Sequence, residues 1–137
     1  MKARPPVYFT TPTPLQERTG VSARVDRVEY APDFDAPPDR PHPFVYSVTV
    51  LNESAMPVTI KARKWVIKDL VTGRCHVVEG DGVAGRNPRL LPGELFRYDS
   101  YHVVAADSTA EGSFLAYDDA GQPVLVRVPP FRMSIAH

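Results

Sequence analysis

After Pro43 the chain alternates with a period of two. Phe44, Tyr46, Val48 and Val50 fall on one side, and Val45, Ser47, Thr49 and Leu51 on the other. That spacing predicts a strand with one face turned to a core. The next run, Val58–Leu70, begins with Val58, Ile60 and Ala62 on one side; Trp65 and Ile67 then take the apolar positions. One extra residue changes the phase in this way, so a β-bulge is expected near Arg63–Lys64. Further strands are predicted at Arg74–Glu79, Glu94–Tyr101, Gly112–Tyr117 and Val124–Val128, with a last one at Phe131–Ile135. Upstream, Val21–Tyr30 is short and Val-rich and reads as a first strand. No segment sustains an apolar period of 3.6 residues, and eighteen Val against eight Leu favour strands further.

The connections fit this reading. Asn52–Pro57, Val71–Gly73 and Asp118–Gln122 are short and polar or Gly-bearing, as hairpin loops are. Nine of the fifteen prolines lie in residues 1–43, so residues 31–43 read as a loop that is neither helix nor central strand. Residues 1–20 read as a flexible Pro-rich arm, leaving residues 21–137 as one domain. Seven to eight short strands without a helix predict an all-β Greek-key sandwich.

Composition narrows the function classes. The 137 residues contain sixteen basic and sixteen acidic side chains, so no overall basic field exists to hold nucleic acid non-specifically. Locally the balance shifts: residues 61–97 carry eight basic residues against four acids, and residues 98–137 two against five. The middle of the chain is thus the part suited to an anion. The single cysteine, Cys75, excludes an intramolecular disulfide and a Cys-rich zinc site. No run approaches the ~20 apolar residues of a membrane helix, and the opening lacks the apolar stretch of a secretory signal. A cytoplasmic protein with no membrane partner is the expectation.

One loop carries candidate chemistry. Gly80, Gly82 and Gly85 spell G-x-G-x-x-G directly after a predicted strand. In a dinucleotide fold such glycines lead into a helix whose N-terminus receives a pyrophosphate. Pro88 and Pro92 follow too soon for a packed helix, which excludes that fold. Two readings stand. The glycines supply positive φ angles for a compact sandwich loop, or they form a backbone nest for an anion such as pyrophosphate, aided by Arg86 and Arg89. Arg63 and Lys64 are either a solvated sheet edge or a further part of that basic surface.

The order of motifs resembles the ApaG family. The matching blocks are FVYSVTV from Phe44, RKWVI from Arg63 with Gly73 after it, EGDGVAG from Glu79, LPGELFRY from Leu91, EGSF from Glu111 and VPPF from Val128. Together they cover roughly Val21 to Ser134. The resemblance implies an immunoglobulin/fibronectin-III-like sandwich, often a homodimer, that is a non-catalytic interaction module binding a protein partner. It also implies a link to cobalt and magnesium tolerance and to diadenosine tetraphosphate metabolism, and a pyrophosphate or dinucleoside polyphosphate site at the Gly-rich motif. The chain departs from the family pattern at Lys64, at Tyr101–His102 and at Asp107–Ala110.

Other chemistry finds little footing. Cys75 and His76 are neighbours on a strand and point to opposite faces, so they do not grip one metal together. A composite site from His76, His102 and a carboxylate such as Asp99 is geometrically allowed, against the plainer reading of solvent-facing strand and loop residues; a Ser100–His102 nucleophile scheme lacks an orienting acid and an oxyanion hole. Trp65 reads as core. No catalytic residue, metal ligand or cofactor is assigned.

Overall fold

The structure, a computed structural model, describes residues 20–135; the arm at residues 1–19 and the final two residues lie outside the described residues. Eight strands follow one another: β1 Val21–Tyr30, β2 His42–Asn52, β3 Val58–Asp69, β4 Cys75–Asp81, β5 Arg89–Leu90, β6 Leu95–Val104, β7 Ser108–Asp118 and β8 Pro123–Met133. They form two antiparallel sheets. One has the order β1-β2-β6, and the other β4-β3-β7-β8, with β5 pairing to the start of β3. The chain changes sheet after β2, after β5 and again after β6, which is Greek-key connectivity. The expected all-β sandwich is therefore present. No helix among the described residues is long and apolar enough to cross a membrane.

The alternation in β2 decides what the two sheets enclose. Phe44, Tyr46, Val48 and Val50 face Ile60, Trp65, Phe114 and Val126 of the second sheet, and all are buried. Trp65 sits at the centre of an aromatic cluster, its ring 5.0 Å from Tyr46, 4.9 Å from His102 and 5.8 Å from Phe131. Gly112, its partner across β3 and β7, is needed there: a Cβ would stand 2.8 Å from the indole. The opposite face of β2 is also closed, by charge instead of apolar packing. Thr49 donates to Asp26 and accepts from Arg97, while Ser47 donates to Asp99 and accepts from Arg27.

The structure moves several predicted boundaries. The register break in β3 lies between Ile60 and Ala62, so the bulge is at Lys61 and not near Arg63–Lys64. Any position between Ile60 and Trp65 restores the parity; Lys61 is selected because its freed carbonyl accepts the N–H of Gly82 at 2.7 Å. The two strands expected at Val124–Val128 and Phe131–Ile135 are one strand, β8. Its Pro129–Pro130 pair falls within a second register break, opposite β7 between Ala110 and Gly112, where missing N–H groups cost nothing to the ladder. β5 is an extra strand within the segment read as loop.

Candidate functional site

The segment after β4 is built as a hairpin laced to the β3 bulge. Val83 and Arg86 exchange backbone hydrogen bonds at 2.8 and 2.9 Å. Between them Ala84 has φ 51° and Gly85 φ 75°. Two central residues with positive φ make a type I′ turn, which favours glycine at the second position. Below it, Gly82 (φ 65°) has no room for a side chain, since a Cβ would lie 2.3 Å from the Arg86 carbonyl oxygen. The segment returns along β3, where Ile60 N–H donates to Pro88 O and Asn87 Nδ2 to Ile60 O.

Arg63 completes this loop. The bulge precedes both Arg63 and Trp65, so the two share a face and Arg63 turns inward, half-buried. It pairs across strands with Gly80, and its guanidinium lies flat where a Gly80 Cβ would be, 2.7–2.8 Å away. Its Nη1 donates to the carbonyls of Asp81 at 2.9 Å and Gly82 at 3.3 Å. Its charge also faces the hydroxyls of Tyr46 and Tyr98, whose pKa values burial pushes up.

The other candidate residues separate. Arg86 is exposed, with its guanidinium 5.7 Å above the Phe96 ring. Arg89 is held by Asp119 of the β7–β8 turn through Nη2 at 2.5 Å, and that carboxylate raises the arginine's pKa above its ordinary value. Lys64 points the other way from Arg63, to the outer face of the five-stranded sheet, beside Ser113 and Arg127 in a shallow groove of about 360 Å³. The structure thus brings Gly80, Gly82, Gly85, Arg63 and Arg86 into one hairpin and leaves Arg89 and Lys64 to other neighbours.

Residues 32–117 match the family model of the ApaG domain. The chain belongs to the ApaG domain family. Relatives in that family include Protein ApaG of Shewanella woodyi, 34% identical over 116 residues that cover 83% of this chain and 91% of the relative. Protein ApaG of Stenotrophomonas maltophilia is 37% identical over 113 residues, covering 79% and 88%. Among solved structures, a Bordetella pertussis protein described as ApaA superposes with a TM-score of 0.73 at 27% identity, covering 90% of this chain and 99% of that one. The ApaG match spans the core strands and the Gly-rich hairpin together.

Two features of this ApaG chain were not singled out by the sequence reading. Asn52, fully buried, ties three segments: its Nδ2 donates to the carbonyls of Met56 and Leu90, both at 2.9 Å, and its Oδ1 accepts from Ser54 N–H and Oγ–H. The only sequence signal was an Asn at a strand end, which reads as turn chemistry. The second is β4, which among the described residues pairs with β3 alone and has no strand on its other edge. Val77 on β4 is 48% exposed, and the preceding turn shows Leu70 at 41% and Val71 at 77%. His102, by contrast, is no surface ligand. It is buried beneath Tyr46 at 4.5 Å, its Nε2 lacks a hydrogen-bond partner among the described residues, and burial lowers its pKa to about 4, helped by nearby His76. Asp99 lies on the opposite face of β6, bonded to Ser47, so the two do not form a joint site.

Proposed function

We propose that the protein is a non-catalytic interaction module that receives a protein partner along the open edge of β4. One observation carries this reading. Among the described residues, β4 ends the larger sheet with no strand on its outer edge and with exposed apolar side chains beside it. Open edges are normally blunted by lysine, proline or charge. Here the charged residues, Glu79 and Asp81, occupy the second half of the strand, and Cys75–Val78 has neither lysine nor proline. An extended segment adding to Cys75–Val78 gains main-chain hydrogen bonds, with Val77, Leu70 and Val71 supplying apolar contact. A second copy docking on the same edge gives a homodimer of the kind the family resemblance implies. Under this reading the protein works in the cytoplasm, and the links to cobalt and magnesium tolerance and to diadenosine tetraphosphate metabolism run through the partner. The division into two antiparallel sheets supports kinship with fibronectin-III-like modules.

A second reading, a pyrophosphate-containing ligand at Gly80–Gly85, is favoured by the exposed turn. The N–H groups of Ala84 and Gly85 make no hydrogen bond among the described residues, and Arg86 stands beside them. Against it, the N–H groups of Gly82, Val83 and Arg86 are already used within the fold, and Arg63 spends its Nη1 on loop carbonyls.

The two are separated by co-purification from an extract of the source cells with three forms of the full chain: wild type, Val77→Lys, and Arg86→Glu/Arg89→Glu. We expect a stoichiometric partner with wild type and the double variant, and none with Val77→Lys. Loss only in the double variant contradicts the edge reading. A rise in Tm with millimolar pyrophosphate that the double variant abolishes would install the loop reading instead.

A further inference from the structure

At the end of the sandwich away from the Gly-rich hairpin, the β1–β2 loop, the β3–β4 turn and the β6–β7 turn surround a cleft of about 790 Å³. Its volume is within the range of small-molecule sites. Its apolar lining is Ile67, Val103 and Val104, and its polar lining includes Arg40, Arg74, His76 and Thr72. The two arginines come from segments thirty-four residues apart, and the fold alone brings them to one cleft.

The hydrogen bonds show which of these groups are available. Arg40 Nη1 lies 3.3 Å from His76 Nε2. That contact engages one Arg40 nitrogen, and no other side-chain hydrogen bond of its guanidinium is present among the described residues. The Arg74 guanidinium makes no side-chain hydrogen bond among the described residues. Two carboxylates border the cleft; the Arg74 charge acts on Asp69, but neither carboxylate hydrogen-bonds a cleft arginine among the described residues. Asp69 Oδ1 already accepts the N–H groups of Val71 and Thr72 at 2.8 and 2.9 Å, and Asp39, largely in solvent, reaches only 4.0 Å from Arg40 Nε.

We propose that this cleft binds a small organic phosphate, a phosphomonoester whose tetrahedral head sits between Arg40 and Arg74 and whose uncharged body lies on Ile67, Val103 and Val104. Two guanidinium forks on different segments suit a tetrahedral dianion, which can accept from both; a planar carboxylate is satisfied by one fork. The apolar wall requires a body on the phosphate, so inorganic phosphate fits only half of the site. This site shares no residue with the Gly-rich hairpin or with the open stretch around Val77, apart from the Cys75–His76 end of β4, and it stands independently of the function proposed above.

The test is a ¹H–¹⁵N NMR titration of the full chain with phenyl phosphate, benzoate and inorganic phosphate in turn, each to about 10 mM, a range that reaches even weak millimolar sites. We expect saturable shifts at Val103–Ala105 and Arg74–His76 with phenyl phosphate, and affinity at least about tenfold weaker for the other two, roughly the loss of one good contact. Arg40→Gln and Arg74→Gln should each weaken phenyl phosphate about tenfold or more while keeping the wild-type spectrum elsewhere; either variant alone suffices if the other is poorly folded. Arg86→Gln should change nothing. Absence of saturable shifts, shifts centred on Gly80–Arg89, or binding unaffected by either cleft variant overturns the proposal. Benzoate binding as tightly as phenyl phosphate overturns the assignment to phosphate.

Discussion

Replacing the three loop glycines one at a time by alanine should produce graded losses of stability, because each glycine has a different reason to be there. At Gly85 a Cβ meets nothing within 4 Å, and only the backbone conformation, φ 75°, opposes it. A left-handed alanine costs about 1 kcal/mol or slightly more. At Gly80 the three atoms nearest the Cβ all belong to the Arg63 guanidinium, a flexible end that can swing away. The cost is then the hydrogen bonds Arg63 makes to Asp81 and Gly82, again about 1 kcal/mol. At Gly82 both penalties combine. The φ of 65° is left-handed, and the Cβ would sit 2.3 Å from the Arg86 carbonyl, a backbone atom. Moving that oxygen breaks its bond from Val83 N–H, so the total reaches about 2–4 kcal/mol. For a domain of this size each kcal/mol lowers Tm by about 3–5 °C. Gly82→Ala should therefore melt about 8 °C or more below wild type, and the other two about 3–5 °C below. Thermal unfolding followed by far-UV circular dichroism, with urea titration for ΔG, reads the series. Gly82→Ala within about 1 °C of wild type, or Gly85→Ala costing more than Gly82→Ala, would refute the argument that backbone geometry requires these glycines.

Further outcomes follow from the same structure. Ala84→Asn should stabilise the protein by about 0.5–1 kcal/mol, since asparagine tolerates the left-handed first position of a type I′ turn better than alanine; an unchanged or lower urea midpoint would contradict this. Asn52→Ala leaves the Leu90 carbonyl and the Ser54 N–H without the Asn52 side chain, while Ser54 Oγ and the Met56 carbonyl keep their own bond, and should cost about 2–3 kcal/mol by urea titration. His102 has its pKa lowered to about 4 by burial, so the unfolded chain takes up a proton that the native state refuses. Stability should be full above about pH 6.5 and fall by up to about 3 kcal/mol as pH drops toward 4. In His102→Phe that fall should shrink when ΔG is measured between pH 7 and 4.5.

The strand plan was legible because period-two alternation in β2, and in β3 on either side of its phase change, is strong; the Pro-rich reading of residues 31–43 as loop ran two residues too far, since β2 begins at His42 and takes in Pro43. Trp65 as core followed from its parity with Ile67. The bulge position was not legible, because parity is blind to where between Ile60 and Trp65 the extra residue falls; the choice of Lys61 depends on the Gly82 N–H, a partner some twenty residues away. The Pro129–Pro130 pair separated two expected strands, Val124–Val128 and Phe131–Ile135, yet a bulge absorbs it within β8. The Gly-rich motif was visible, but not that Arg63 lies over Gly80, which requires knowing the β3–β4 register. Arg40 and Arg74 were invisible as a pair for the same reason: thirty-odd residues separate them, and only the sandwich brings the β1–β2 loop over the β3–β4 turn.

The open edge of β4 as the docking surface is tested most directly by hydrogen–deuterium exchange, read amide by amide on the full chain alone and with its co-purified partner. The amides of Cys75–Val78 that point away from β3 should exchange rapidly in the free protein and become protected in the complex, while those of Gly80–Arg86 keep their free rates. Protection confined to Gly80–Arg89, with Cys75–Val78 unchanged, would contradict the edge as the site of recognition.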